Sequence, residues 1–180
     1  MSAKSRTRVA LLRGVNVGRA KRIAMADLRA LVAGLGYGDV RTLLNSGNVV
    51  FRAPSAVRGD PAARIERALA DDLGIASRVT VLDARALALV VEQNPLAGVV
   101  DPARLLVALW KDPDDRARLL ALAREDWSPD RLAVGERAAY LGCTAGILES
   151  ALATALGKRL GDAVTTRNWA TVMKLHALAC

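Results

Sequence analysis

The chain has 180 residues, of which 52% are hydrophobic and 24% are charged, so it can form one domain or two small ones and is not globally disordered. No apolar run approaches the roughly 20 residues that a membrane helix needs. The apolar run at residues 9–12, which follows the first basic residues, is too short for the core of a signal peptide. We therefore predict a cytoplasmic protein that does not enter the membrane.

The net charge of +8 is concentrated near the start of the chain. Residues 1–52 contain ten basic and two acidic residues, which accounts for the whole excess. A localised basic field is typical of proteins that bind an anionic partner. The alternative is a compositional bias, since only five of the 26 basic residues are lysine.

The first half of the chain predicts the element order β-α-β-β-α-β. Residues 9–12 are apolar without alternation, which indicates an inner strand that is covered on both faces. Ser46-Gly47 is a two-residue hairpin turn, and Asp60 before Pro61 marks a helix start. We expect strands at residues 7–13, 40–44, 48–52 and 78–82, and helices at residues 25–35 and 61–73.

The second half repeats this order after a helix at residues 84–93 and a linker with two prolines. We expect strands at residues 104–110, 131–134, 137–141 and 163–166, helices starting at 112 and 147, and a last helix at 169–179. Two copies of the order predict an α+β fold of tandem ferredoxin-like units. The predicted domains are residues 1–83, a helix and linker at 84–102, and residues 103–180 with the C-terminal helix.

One candidate ligand-binding edge follows from this topology. In a ferredoxin-like unit the first and third strands are antiparallel neighbours, so the end of the first lies beside the start of the third. A helix that begins nearby adds free N–H groups and partial positive charge, which favour anions. Glycine backbone, side-chain amides and basic groups therefore collect at this edge, and the candidate residues are Arg13, Asn16, Gly18, Arg19, Lys21, Arg22, Ser46 and Asn48. We expect the side chains of Arg13 and Asn48 to lie within reach of one ligand and to be at least partly open to solvent.

The alternative interpretation of this edge is structural. Asn16 and Asn48 then bond loop backbone, and Gly47 only forms the turn. The glycines at 14 and 18 match neither a Walker A loop nor a dinucleotide-binding fingerprint. Stacking of RNA bases is disfavoured because the third strand has Phe51 alone and the first has no aromatic residue, whereas binding of a phosphate backbone by charge stays open.

A second polar cluster, Thr166, Arg167 and Asn168, precedes the predicted last helix. Thr166 or Asn168 can cap that helix, which leaves Arg167 to pair with an acid or an anion. The alternative is a capped helix with Trp169 in the core and no role in binding.

The remaining residues give no sign of a metal or a catalytic device. His176 is the one histidine, and Cys143 and Cys180 lie far apart in the sequence, so neither a zinc site nor a disulfide framework is indicated. We predict no metal and no cofactor, and we assign no catalytic residue.

Three motifs resemble a family of uncharacterised bacterial proteins, the domain of unknown function 1697. They are residues 12–18 (LRGVNVG) with Met25 and Leu28, residues 46–51 (SGNVVF), and residues 166–169 (TRNW) with Thr171, Val172, Lys174 and Leu175. The resemblance implies a tandem ferredoxin-like fold. It implies no activity, because the family has none established, and so it assigns no catalytic residue.

These observations lead to one functional hypothesis and two alternatives. The hypothesis is a binding module for a phosphate-bearing ligand, a nucleotide or nucleic acid, at the edge that contains Arg13, Asn16 and Asn48. The alternatives are an enzyme of unrecognised type that uses the same pocket, and a protein-interaction module whose polar motifs are purely structural. The sequence does not determine the oligomeric state.

Overall fold

The computed structural model describes residues 6–180. Lys4, one of the basic residues counted above, lies outside them. Contacts divide the chain into two compact units, one of the residues up to Leu87 together with Leu175–Cys180, and one of Ala88–Lys174. Among residues 6–180, no helix is long and apolar enough to cross a bilayer.

The first unit contains a four-stranded antiparallel sheet with the strand order β2-β3-β1-β4. Strand β1 is an inner strand, paired with β3 on one side and β4 on the other, as the unbroken apolar run predicted. The elements in chain order are β1 (Arg6–Leu12), α1 (Met25–Gly34), β2 (Gly38–Leu43), β3 (Asn48–Ala53), α2 (Pro61–Leu73), β4 (Val79–Asp83) and α3 (Ala84–Glu92), whose second half belongs to the other unit.

The core of this unit lies between its sheet and the helices α1 and α2. Ala10 and Leu12 of β1 and Phe51 of β3 pack on Leu28 of α1 and Ile65 of α2, and all five side chains are fully buried. Each large apolar side chain that is removed from water stabilises the fold by roughly 1.5–3 kcal/mol. Val9 and Leu11 of β1 are buried as well, which explains why residues 9–12 show no alternation.

The ends of α2 follow the predicted signals. Asp60 accepts hydrogen bonds from the backbone N–H groups of Ala62, at 3.2 Å, and Ala63, at 3.4 Å. Pro61 occupies the first turn, and Gly74 ends the helix with a φ of +64°. The predicted cap and stop are therefore confirmed.

The hairpin between β2 and β3 differs from the prediction. Leu43 pairs with Asn48, so the loop has four residues, 44–47, rather than the two-residue turn Ser46-Gly47. Leu44 and Gly47 both take positive φ, +57° and +76°. The Asn48 side chain closes the loop by donating to the Leu43 carbonyl oxygen at 2.9 Å.

The second unit has the matching sheet order β6-β7-β5-β8. Strand β5 is fully buried and lies between β7 and β8. Its elements are β5 (Leu105–Trp110), α4 (Asp114–Leu122), β6 (Arg131–Val134), β7 (Ala138–Gly142), α5 (Ala151–Leu160), β8 (Val164–Asn168) and α6 (Trp169–Ala179), of which the last turns join the first unit. The prediction of an α+β protein with two four-stranded antiparallel sheets is confirmed.

Helix α5 begins at Ala151, four residues later than predicted. Ser150 caps it, because its hydroxyl oxygen accepts from the Ala153 N–H at 2.9 Å and donates to an Asp130 carboxylate oxygen at 2.7 Å. Leu148, which the helical spacing had included, precedes the cap and is 93% exposed.

The unit boundaries also differ from the predicted ones at 83, 102 and 103. Residues 175–180, predicted in the second domain, lie with the first unit. An Arg41 guanidinium N–H donates to the Leu178 carbonyl oxygen at 3.0 Å, and the Cys180 sulfur lies 3.5 Å from the Ala84 carbonyl oxygen. These tertiary bonds fix the end of α6, and its sequence pattern carries no sign of them.

Gly47 is the point where the hairpin meets the end of β1. Its carbonyl oxygen accepts from the Leu12 N–H at 2.8 Å. A Cβ atom at this position would lie 2.5 Å from Val15 Cγ2 and 2.7 Å from Leu12 Cβ, and φ is +76°. Both the close approach and the backbone conformation therefore require glycine here.

We expect Gly47→Ala to lower the free energy of unfolding by about 3 kcal/mol, because overpacking and a left-handed backbone each cost energy. Gly18→Ala is the matched control, since Gly18 has φ +63° but nothing within 4 Å of its Cβ position, so only the backbone cost of about 1 kcal/mol applies. Urea denaturation of both variants measures the difference. Equal losses would show that the contact at Gly47 does not contribute.

Candidate functional site

The candidate site begins with the loop that follows β1. Residues 14–22 fold tightly because Gly14, Asn16, Gly18 and Lys21 all have positive φ, between +51° and +67°. Val15 points into the core and is 1% exposed, whereas Val17 is 69% exposed. The buried valine anchors a loop whose other residues face solvent.

Asn16 holds this loop closed and ties it to the hairpin. Its side-chain oxygen accepts from the Ile23 N–H at 2.9 Å, and its side-chain nitrogen donates to the Ile23 carbonyl oxygen at 2.9 Å. The same nitrogen donates to the Asn45 carbonyl oxygen at 2.7 Å. The alternative interpretation of Asn16, that it bonds loop backbone, is therefore confirmed, and the loop and hairpin meet as the topology predicted.

Asn48 does not have the exposed side chain that we expected of a ligand-binding residue. It is 0% exposed, and its side-chain nitrogen donates to the Leu43 carbonyl oxygen and to the Ser46 hydroxyl oxygen, each at 2.9 Å. The expectation of partial exposure was wrong because a buried amide is stable only where its hydrogen bonds are made, and the Leu43 carbonyl and the Ser46 hydroxyl of the hairpin supply them. Ser46 itself lies on the surface.

The basic residues of the loop remain available to solvent. Arg19, Lys21 and Arg22 are exposed, and Arg13 is half-buried. The backbone of Arg13 is fixed, since its N–H donates to the Arg78 carbonyl oxygen at 2.9 Å and its carbonyl oxygen accepts from the Ser77 hydroxyl at 2.9 Å. Four cationic side chains therefore project from a short segment whose backbone is held in place.

Helix α1 starts directly after these residues. Among residues 6–180, no side chain caps its first N–H groups, because the cap position is Ala24. These N–H groups carry the partial positive charge of the helix end. Asp27 in the first turn brings one carboxylate to the same end, which offsets part of that field.

The residues of the second cluster have different surroundings. Asn168 caps α6, since its side-chain oxygen accepts from the Thr171 N–H at 2.9 Å, so Asn168 rather than Thr166 is the cap. Arg167 is 9% exposed, and its guanidinium donates to the Thr166 carbonyl oxygen at 2.8 Å. Burial lowers the pKa of Arg167 to about 10, so it remains a cation at neutral pH.

A cavity at the opposite end of β1 was not predicted from the sequence. It has a volume of about 380 Å³, and Arg6, Arg8 and Tyr37 are among its lining residues. The available sequence signal was Arg6 and Arg8, which lie on one face of the first strand and make its start basic. Tyr37 gave none, because a single aromatic residue before a strand is normally part of the core.

Comparisons with known proteins identify the family and the fold. A family described as protein of unknown function (DUF1697) matches residues 6–140, which confirms the resemblance; the motif at 166–175 lies outside that match. No curated protein matches. The structure of the conserved bacterial protein SP0830 from Streptococcus pneumoniae has a TM-score of 0.82 and 21% sequence identity, covering 98% of this chain and 99% of that one. At this identity, it shows a shared fold alone.

A second solved structure matches far less well. It is protein BT0572 from Bacteroides thetaiotaomicron, with a TM-score of 0.23 and 10% identity over 94% of this chain and 96% of that one. A likeness of this size carries no structural argument.

The three bonds of Asn16 predict its contribution to stability. Asn16→Gly keeps the positive φ without strain and removes only the amide with its three bonds, so we expect the free energy of unfolding to fall by about 3 kcal/mol, at about 1 kcal/mol per hydrogen bond. Asn45→Ala is the control, because it retains the backbone oxygen that Asn16 bonds, and it should change stability by less than about 0.5 kcal/mol. A wild-type urea curve for Asn16→Gly would contradict the assignment.

The cap at Asn168 gives a separate prediction. Asn168→Ala should cost about 1 kcal/mol of stability, while Asn168→Asp, which retains an oxygen acceptor at the helix N-terminus, should stay close to wild type. Thermal melting of the two variants measures this difference. If both variants melt alike, the side chain does not cap the helix.

Proposed function

Since the chain belongs to the DUF1697 family of proteins of unknown function, we propose a function from the site itself: a cytoplasmic binding module for a phosphate-bearing ligand, a nucleotide or nucleic acid. The ligand lies where loop 14–22 meets the hairpin loop 44–47. The cationic groups of Arg13, Arg19, Lys21 and Arg22 bind its phosphates, and the start of α1 adds backbone N–H donors.

One observation carries this proposal. Arg19, Lys21 and Arg22 are exposed on a loop whose shape is already set by the three bonds of Asn16. The backbone of a preformed loop loses little conformational entropy when a ligand binds, so less of the electrostatic binding free energy is lost to ordering the loop. Exposed cations on a fixed backbone, at an uncapped helix start, are the arrangement that phosphate recognition needs.

The chemistry of the loop favours binding over catalysis. Residues 13–22 include no acid, histidine, cysteine, serine or threonine, so Lys21 is the one side chain of this loop that is of a type used as a general base or nucleophile. Lys21 is exposed and lacks the burial that activates a catalytic lysine. The amides of Asn16 and Asn48 bond the backbone. Cys143 is buried, and burial raises the pKa of its thiol, which makes it a poor nucleophile. An enzyme that uses the same pocket remains the alternative.

We also infer that each unit is ferredoxin-like and that the chain is a tandem pair. The support is the element order β-α-β-β-α-β in each half and the corresponding sheet orders β2-β3-β1-β4 and β6-β7-β5-β8. In this arrangement the loop after the first strand and the hairpin before the third meet at one edge, which is where the proposed ligand lies. The proposed cytoplasmic location is consistent with two cysteines that are both free thiols, because disulfides form mainly in oxidising compartments.

The proposal predicts salt-dependent binding. If three phosphates are neutralised on duplex DNA, affinity falls by about 40-fold between about 50 and 200 mM salt. The measurement is fluorescence anisotropy with labelled single- and double-stranded oligonucleotides, with ATP titrated as a competitor. The variant Arg19→Ala/Lys21→Ala/Arg22→Ala should lose both the affinity and the salt dependence.

The matched control removes the same charges elsewhere, as Arg67→Ala/Arg85→Ala/Lys158→Ala, since these three side chains are also exposed. It should bind as wild type does if the loop is the site. Equal weakening in both variants would mean that net charge alone attracts the nucleic acid. Failure of every probe to bind at low salt would overturn the proposal.

Arg13→Ala separates binding from a scaffold role in the same assay. A residue that serves binding leaves the melting temperature nearly unchanged and lowers phosphate affinity when it is replaced. A large fall in melting temperature with unchanged affinity would show instead that Arg13 stabilises the end of β1, as expected where a paired charge is removed from a partly buried position.

A further inference from the structure

A cavity lies at the start of β1, at the opposite end of the strand from the loop site. Arg8 and Arg13 are five residues apart, which is roughly 17 Å along an extended strand. The cavity has a volume of about 380 Å³, within the range of roughly 300–1,000 Å³ that small-molecule sites occupy. It belongs entirely to the first unit and is separate from the loop 14–22.

Two buried polar groups in the lining of this cavity have no partner. The Tyr37 hydroxyl and the Arg8 Nε are buried, and neither has a hydrogen-bond partner among the described residues. Tyr37 as a whole is 4% exposed. A buried donor without an acceptor is costly, so their presence in the wall of a cavity indicates that something from outside accepts from them.

The position of Tyr37 is set by packing and not by its hydroxyl. Its ring contacts that of Phe51, with the centroids 4.6 Å apart, and the Arg64 guanidinium lies 5.6 Å from the ring centroid. Arg64 is itself held by bonds to the carbonyl oxygens of Leu35, at 2.8 Å, and Arg58, at 3.0 Å. The ring is therefore held from two sides, and Tyr37 lines the cavity together with Arg8.

The charges around the cavity favour an anion. Arg64 of α2 lies over the Tyr37 ring, and Arg8 of β1 lines the cavity. Burial raises the pKa of Tyr37, while the charges of Arg64 and Arg8 lower it and that of Asp60 raises it. The Asp60 carboxylate accepts from two N–H groups of α2, so part of its charge is balanced by the helix end. Arg6 adds a further cation to the lining, beside apolar Ala53, Pro54 and Val57.

We propose that this cavity binds a small organic anion, whose oxyanion group accepts from the Tyr37 hydroxyl and the Arg8 guanidinium while its short apolar body packs on Pro54 and Val57. A carboxylate and a phosphate monoester share this chemistry. Both supply the acceptor oxygens that the two unpartnered donors lack, and both match the cationic surroundings.

The test uses the full chain with benzoate and phenyl phosphate as probes, and affinity is measured by isothermal titration calorimetry. Tyr37→Phe removes only the hydroxyl, and Arg8→Met removes the charge while retaining the apolar stem. Each should weaken binding by at least about 10-fold, as expected for a lost hydrogen bond to a charged group. The relative affinity of the two probes distinguishes a carboxylate from a phosphate ligand.

Tyr140→Phe is the matched control, because Tyr140 is also buried but its hydroxyl donates to the Val90 carbonyl oxygen at 2.8 Å. It should bind the probes as wild type does and should lower the melting temperature. Tyr37→Phe should not lower it, because its hydroxyl has no hydrogen-bond partner among residues 6–180. A fall equal to that of Tyr140→Phe would overturn the proposal by showing that the Tyr37 hydroxyl is already satisfied.

The loop variant Arg19→Ala/Lys21→Ala/Arg22→Ala separates this site from the proposed function. Phenyl phosphate binding that survives in the loop variant and is lost in Tyr37→Phe assigns the probe to the cavity. Binding lost only in the loop variant would overturn the cavity site and leave the loop site in place. No binding of either probe to the wild-type chain would also overturn it, because the cavity would then be filled by water alone.

Discussion

The first unit depends on the close contact between the end of β1 and the hairpin at Gly47. The hairpin backbone passes so near Leu12 and Val15 that not even a methyl group fits between them. This contact places the loop 14–22 beside the hairpin, and the Asn16 side chain then joins the two by bonding Ile23 and Asn45. If residue 47 had a Cβ atom, the two segments would have to move apart, and the candidate edge would lose its geometry.

The same contact decides which groups remain for a ligand. The two asparagines at this edge bond the backbone, and Asn48 is fully buried. What remains exposed is charge, on Arg19, Lys21 and Arg22, beside an uncapped helix start. The polar side chains therefore hold the backbone in place, while the charged side chains stay exposed. A rigid backbone that carries exposed charges is what the proposed binding surface requires.

Both ends of β1 collect cations, but the two settings differ. At the loop end the cations face solvent, where screening weakens each of them and several must act together. At the other end Arg8 is partly withdrawn from water beside the buried Tyr37, where a single hydrogen bond to an anion is stronger. One strand therefore has an exposed basic surface at one end and a partly open cavity at the other.

Local patterns predicted the elements well because their causes are local. The apolar run at residues 9–12, the cap at Asp60 and the stop at Gly74 each depend on neighbours within a few residues, and the structure has all three. The meeting of the loop and the hairpin also followed from the element order, because antiparallel neighbours must place those ends together. The burial of Asn48 was not predicted, because the sequence around a buried hairpin asparagine looks the same as that around an exposed one.

The amino-acid sequence by itself determined the order of the elements, the inner position of β1 and the basic character of the first unit. These follow from side-chain polarity and from the spacing of apolar residues. Only the tertiary structure decided which polar groups are satisfied and which are not. Asn16 bonds the backbone of Asn45, 29 residues away, and Asn48 bonds that of Leu43 across the hairpin, whereas the Tyr37 hydroxyl has no partner among the described residues. The physical reason is that hydrogen bonding of a buried group depends on which atoms lie within about 3 Å of it, and those atoms come from segments that the sequence alone does not bring together.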